Sequence, residues 1–156
     1  MTRALTDTIP VGAMTTRFLV EAQDSGGSVS VFECDVPLGT IMPAPHSHGG
    51  FEETVYGLEG TTTWTVDGRE HDIGPGQALC IPRGAIHAFD NRHSSDAKFL
   101  AIATPGVFGP AYFREIGEVL AAGGPPDPAA IAEVMRRHGP PLRPTAEPKP
   151  PVRRAA

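Results

Sequence analysis

The chain has 156 residues and a formal charge of −5 with histidine neutral, a length that suits one domain with its own core. The charges after Pro140 give a local +3, which leaves −8 on the rest. A body that acidic, with no clustered Lys/Arg stripe and no helix-turn-helix pattern, excludes nucleic-acid binding.

Residues 1–14 show no clear period. They are expected to form an irregular arm or an edge strand contributed to a partner. The opening MTRALTDTIPVG lacks the apolar core of a signal peptide. No apolar run approaches the roughly 18 residues of a membrane span, so a cytoplasmic protein without membrane contact is expected. Residues 15–105 read as a β body. Its short apolar-rich runs are punctuated closely by glycine and proline, as an all-β domain with tight turns requires.

The segment 16–22 reads as a first strand, followed by the turn cluster Asp24-Ser-Gly-Gly27. From Ser28 to Val36 the chain alternates. Phe32, Cys34 and Val36 share one face, Val29, Val31 and Glu33 the other, and either face is apolar enough to point inward. Cys34 and Cys80 make no disulfide framework, and two free, buried thiols in a reducing compartment are expected. Pro43 and Pro45 hold the approach to His46 extended. Strands follow at 53–59 and 61–66. Asp67-Gly68 predicts a type I′ hairpin turn. Strands at 69–73, 77–81, 86–91 and 97–104 complete a series of about eight, enough for a jelly roll or small barrel.

From Gly109 the period becomes helical. Phe113, Ile116, Val119 and Leu120 mark one helix, stopped at Gly123-Gly124. Asp127-Pro128 predicts the N-cap of a second, with Ile131, Val134 and Met135 on its apolar face. Residues 106–139 are thus expected as two helices lying on the barrel. The tail 140–156 has six prolines in seventeen residues, a composition expected to stay disordered or extended.

The chemistry concentrates between Gly39 and Asn91. His46 and His48, one residue apart on an extended segment, point to one face. Glu53 follows shortly and His87 returns much later. Three imidazoles and a carboxylate that converge would make a metal site. Glu52 competes with Glu53, but alternation sends it to the opposite face. His71 and His93 flank turns beside Glu70 and Arg92 and are expected in solvent. Pro82, Arg83 and Asn91 are expected to shape turns rather than meet a substrate.

The spacing from Gly39 reads G-x6-H-x-H-x4-E-x6-G through His46, His48 and Glu53 to Gly60. The spacing from Gly76 reads G-x5-P-x-G-x2-H-x3-N through Pro82, Gly84 and His87 to Asn91. These resemble the two motifs of the cupin superfamily. The second matches at every defined position, and the first carries one extra residue before the histidine pair. The resemblance covers about 30–105, and the segment from Gly109 is similar to the C-terminal helices of small single-domain cupins, some of them quercetin dioxygenase-like. It implies a double-stranded β-helix, a jelly-roll barrel, in which His46, His48, Glu53 and His87 ligate one divalent transition metal. Fe, Mn, Ni, Co, Cu and Zn all suit that donor set. It also implies that Glu53 moves between ligand and proton acceptor.

Alternation from His87 brings Phe89 to the same face, and from Glu53 it brings Val55 and Gly57, the glycine leaving room. Trp64 can point inward. Met42, Phe51, Phe99, Phe108 and Tyr112 can line the mouth. Each is as readily plain core. If several face the cavity, it favours an aromatic or otherwise apolar small molecule over a phosphosugar. The expected activity is a metal-dependent dioxygenase on a flavonol- or diketone-like substrate. The alternatives are a non-oxidative isomerase, cyclase or lyase, and a binding protein without turnover. Pairing of exposed sheet edges makes a homodimer the expected assembly.

Overall fold

The computed structural model describes residues 8–42, 45–123, 125 and 127–138. Nine strands come first: β1 (Ile9–Val11), β2 (Met14–Val20), β3 (Ser30–Val36), β4 (Glu52–Glu59), β5 (Thr62–Val66), β6 (Arg69–Ile73), β7 (Ala78–Ile81), β8 (His87–Asp90) and β9 (Ala97–Thr104). Two helices follow, α1 (Pro110–Ala121) and α2 (Pro128–His138). The strands form two antiparallel sheets, one in the order β1-β2-β3-β9-β4-β7 and one in the order β6-β5-β8. Ile41 and His46 bridge the free edge of β8, Ile41 opposite Asp90 and His46 opposite His87. The two sheets face each other as a jelly-roll barrel.

The burial pattern resolves the ambiguity of β3. Ser30, Phe32, Cys34 and Val36 point inward, while Glu33 meets Arg17 across the outer face. In β5 both faces are covered at its start, where Thr62, Thr63 and Trp64 are all buried. Trp64 packs against Phe89 and Phe99 with ring centroids 4.5 and 5.2 Å away. Such pairs add about 0.5–1.5 kcal/mol beyond their buried area. The indole N–H does not go unpaired in that apolar setting, because it donates to Thr62 Oγ1 at 3.0 Å. Between β5 and β6, Asp67 and Gly68 have φ of 47° and 78°, as the Asp-Gly hairpin predicts.

Several expectations change. Residues 9–14 are not given to a partner: β1 pairs with β2 of its own chain, Ile9 opposite Thr16. Ile9, Val11 and Met14 are buried, so a three-residue run too short to show a period is held by core packing. The strand expected at 16–22 is β2, which begins at Met14 and stops at Val20, and Ala22–Ser25 turns as a 3₁₀ helix. Cys34 is buried as expected, but Cys80 is exposed. It lies on β7 at the sheet edge, on the face opposite Ile81. His93 is half-buried, with Nε2 3.0 Å from Thr63 Oγ1. Residues 1–7, Pro43, Gly124 and the tail from 140 lie outside the described residues.

The helices close one end of the barrel. Pro110 occupies the first turn of α1, where a missing N–H costs nothing. α1 turns Tyr112 and Ile116 inward, and Phe113 locks it to the sheet with its ring centroid 5.6 Å from Phe18 and 5.0 Å from Phe32. Asp127 caps α2 by accepting from the Ala129 N–H at 2.9 Å. Glu115 on α1 receives Arg137 and His138 of α2, both at 2.8 Å, and Val134 is buried between the helices and the barrel. No helix among the described residues is long and apolar enough to cross a membrane.

Candidate metal centre

Backbone pairing fixes the histidines before their side chains are considered. The His46 N–H donates to His87 O at 2.9 Å, and the His87 N–H returns to His46 O at 2.8 Å. The Gly84 N–H donates to His48 O at 2.9 Å. These bonds clamp the segment 46–48 against the start of β8. One ring nitrogen from each of His46, His48 and His87 then lies within 4.8 Å of the other two. Glu53 enters from β4 in the opposite sheet. Its Oε2 stands 3.5 Å from His87 Nε2 and 4.0 Å from His48 Nε2. Glu52 faces the other way and pairs with Arg83 outside the barrel.

The ring of His87 is fixed in a particular state. Its Nδ1 lies 3.0 Å from Ala85 O, which can only accept, so Nδ1 carries the proton of the neutral ring. Nε2 is buried and makes no hydrogen bond of good geometry; its nearest charged neighbour is Glu53 Oε2 at 3.5 Å. An acceptor on a side chain only 2% exposed would cost about 1–3 kcal/mol if nothing met it. A divalent ion is the group that would fit: it takes lone pairs from imidazole nitrogens and is balanced by the nearby Glu53 carboxylate.

The electrostatics agree in direction for His48. Burial, and then the neighbouring His46 and His87, push its pKa down to about 2, so it stays neutral and able to ligate. His87 behaves differently. Burial disfavours its charged form most, but Glu53, the Ala85 carbonyl and Asp67 together outweigh that and raise its pKa. A ring drawn toward the imidazolium by a carboxylate 3.5 Å away marks where positive charge is wanted. A cation between them would supply it.

The centre opens into a cavity of about 290 Å³, near the lower end of the roughly 300–1,000 Å³ of small-molecule sites. Of the residues expected on its wall, Met42, Phe51, Trp64, Phe89, Phe99, Phe108 and Tyr112 line it. Val55 does not. It shares the inward face of β4 with Glu53, but it is fully buried in the core. Gly57 also departs from expectation. The space it spares is filled by backbone, because a Cβ there would sit 2.1 Å from Gly74 O. Gly57 and Pro75 bridge directly. The glycine admits the turn before β7, not a substrate.

Part of the wall was not anticipated. Thr16 and Cys34 reach it from β2 and β3, and Ile116, Leu120, Ile131 and Met135 close it from the helices. The apolar face of α2 was legible as a 3.6-residue period. What that face covers was not, because periodicity marks a buried stripe without naming its partner.

An aromatic chain runs from the centre toward the helices. Phe51 stacks on His48 at 4.4 Å and 24°, Phe108 meets Phe51 edge-on at 4.8 Å, and Tyr112 stacks on Phe108 at 4.1 Å and 16°. The second motif ends in a buried brace. Asn91 is fully buried, and its Nδ2 donates to Val36 O and Ser95 O, each at 2.9 Å. His71 and Arg83 do not line the cavity.

Three comparisons with known proteins bear on this arrangement. Residues 32–103 match the model of the cupin domain. The chain is 30% identical over 112 residues to quercetin 2,3-dioxygenase of Bacillus subtilis, across 72% of this chain but only 32% of that enzyme. The chain therefore spans about a third of that relative's length. Among solved structures, the polyketide cyclase RemF of Streptomyces resistomycificus is 27% identical with a TM-score of 0.56, covering 70% of this chain and 87% of that one. KdgF from Halomonas sp. is 16% identical with a TM-score of 0.55, covering 66% of this chain and 86% of that one, a likeness of fold alone. The facing sheets, the two histidine motifs meeting in one pocket and the match over 32–103 place this chain in the cupin superfamily, with its likeness on the quercetinase side.

Proposed function

We propose that the protein is a metal-dependent cupin enzyme, most simply a dioxygenase acting on a compact aromatic or enolic substrate. The observation that carries this is the convergence of one ring nitrogen from each of His46, His48 and His87 within 4.8 Å of one another, with Glu53 Oε2 3.5 Å from the buried Nε2 of His87. His46, His48, His87 and Glu53 would hold the ion. A divalent transition ion there supplies Lewis acidity toward an enol or phenol oxygen and, if redox-active, a route to dioxygen.

The remaining work falls to the chain. The flat faces of Phe51 and Phe108 orient a planar ring. Glu53 Oε2 sits beside the histidine nitrogens, within reach of a substrate O–H, and takes its proton. Helices α1 and α2 exclude water from the far end. The described wall carries no Lys or Arg to pair with a phosphate.

A second reading is a non-oxidative cyclase, isomerase or lyase using the same residues. It is favoured by the likeness to a polyketide cyclase at 27% identity.

The deciding experiment loads the purified protein anaerobically with Fe(II), Mn(II), Co(II), Ni(II), Cu(II) or Zn(II) and measures metal content beside His87→Ala. About one redox-capable ion per chain, lost in the variant, followed by oxygen uptake on flavonols or diketones, supports the dioxygenase. Product formed without oxygen and with Zn(II) supports the second reading. No ion retained under any condition overturns both.

A further inference from the structure

Among the described residues from 108 onward that line the cavity, Tyr112 carries the one polar side-chain group. From residue 108 onward the described lining is Phe108, Phe113, Ile116, Leu120 and the apolar residues of α2, together with Tyr112. Tyr112 is 8% exposed. Its ring is held by the stack on Phe108, by Phe113 at 4.9 Å and by His138 at 5.9 Å. Its backbone N–H donates to Gly109 O at 3.1 Å. Its hydroxyl meets no donor or acceptor among the described residues.

A phenylalanine would make every one of those ring contacts. The hydroxyl is not among the fully buried unpaired atoms, so on the cavity wall it borders open space, where a ligand oxygen can displace water and accept from it. Burial, and then the charge on Glu53, raise its pKa, so it remains protonated and presents a donor. The opposite end of the same cavity holds the three imidazoles, and Tyr112 is two ring contacts from His48, through Phe108. A ligand filling the roughly 290 Å³ between them is polar at its two ends and apolar along its flanks.

We propose that Tyr112 is the second anchor of the substrate, its Oη donating to an oxygen at the end of a compact aromatic ligand remote from the histidine centre. The substrate class is thereby narrowed to planar molecules with two oxygens at opposite ends, one for the centre and one for α1. This rests on the small-molecule reading of the cavity given under Proposed function.

The test is a matched set of probes: a naphthol, its dihydroxynaphthalene counterpart with the second hydroxyl on the far ring, and the corresponding methoxynaphthol. Binding is followed without oxygen, on the full chain loaded with Zn(II), by quenching of Trp64. This is the sole tryptophan of the sequence, and it lines the cavity. The native protein is expected to bind the two-oxygen probes about tenfold more tightly than the naphthol, as one buried hydrogen bond allows. The methoxynaphthol should share the preference, because it still accepts from a tyrosine donor. Tyr112→Phe should lose the preference while binding the naphthol unchanged.

A preference that survives in Tyr112→Phe, or that is missing from the native protein, overturns the inference and leaves the apolar site standing. Failure of all three probes to bind the native protein removes the aromatic-ligand reading itself. If the variant melts early, the comparison of naphthol with methoxynaphthol in the native protein decides alone.

Discussion

Asn91 and Cys34 show how much single buried side chains decide here. Asn91 ends the second motif, yet it faces backbone rather than ligand. Its amide nitrogen serves two carbonyls, Val36 O and Ser95 O, and its own backbone pairs with Gly39 and Thr40 at 2.8 Å. It ties the close of one motif to the opening of the other. Asn91→Ala orphans buried acceptors and should cost about 2–3 kcal/mol, read as a lower urea midpoint with an unchanged slope. Cys34 offers a test in pH. Burial above all pushes its thiol up to about 12 from an ordinary 9.0; the contact with Thr16, next in size, opposes this, and Glu53, Asp35 and Glu33 add to it. The folded chain thus keeps a proton that the unfolded chain gives up above pH 9. Stability from this group is complete below about pH 9 and falls as pH rises toward 12, by about 1.4 kcal/mol per unit. Urea midpoints at pH 8 and pH 10 should therefore diverge in the native protein, and the part of that fall due to Cys34 should vanish in Cys34→Ala. Equal slopes in the two proteins would show that the thiol is not desolvated.

Strand β4 carries most of the barrel's logic. It sends Glu53 to the histidines and Glu52 to Arg83 outside, and it pairs with β9 on one side and β7 on the other. Gly57 is where the Gly74-Pro75 turn crosses it. Gly57→Ala would force a methyl to within 2.1 Å of a carbonyl oxygen. That atom belongs to backbone held at both ends, since the Gly57 N–H donates to Gln77 O at 2.9 Å and the Gly76 N–H to Gly57 O at 3.1 Å. Neither side can yield cheaply, so a loss of about 2–4 kcal/mol is expected in denaturant unfolding. A neutral substitution would mean that the turn moves freely. Gly57 also marks the limit of reading this chain as a string. Strands between Ser30 and Thr104 were legible because alternation and turn residues are local signals, and the Asp67-Gly68 hairpin needed nothing more. The space beside Gly57 depends on a turn 17 residues away, which no local pattern names. Val55 fails for the same reason, since alternation gives its face but not its depth along the barrel. The edge strand offered within residues 1–14 is present as β1, but its pairing with β2 of the same chain was not legible, because three residues carry no period. Cys80 was misplaced because composition alone does not say that β7 is an edge.

The whole molecule is a barrel closed at one end by its own C-terminal helices. The large sheet ends in β1 and β7. β1 is backed by α1, but β7 is short and carries exposed Ala78 and Cys80. A homodimer remains the expected assembly, and a monomer mass in light scattering at high concentration would remove it. The motif spacing made the histidines and Glu53 legible as candidates. The folded chain supplies what spacing lacks, namely that two sheets must be in place before Glu53 meets His87. A site assembled from opposite sheets exists only in the folded state, so an ion bound there stabilises the fold by mass action. At a free concentration one hundred times its Kd, the gain is about 2.7 kcal/mol. For a chain of 156 residues that corresponds to a rise in Tm of roughly 5–10 °C. Chelation should reverse it. His87→Ala should abolish the rise while leaving a folded β protein, because the backbone bonds of residue 87 to His46 do not need the ring. A rise of equal size in His87→Ala would place the bound ion elsewhere on the protein, and no rise with any of the six ions would mean that the three imidazoles and Glu53 meet without holding one.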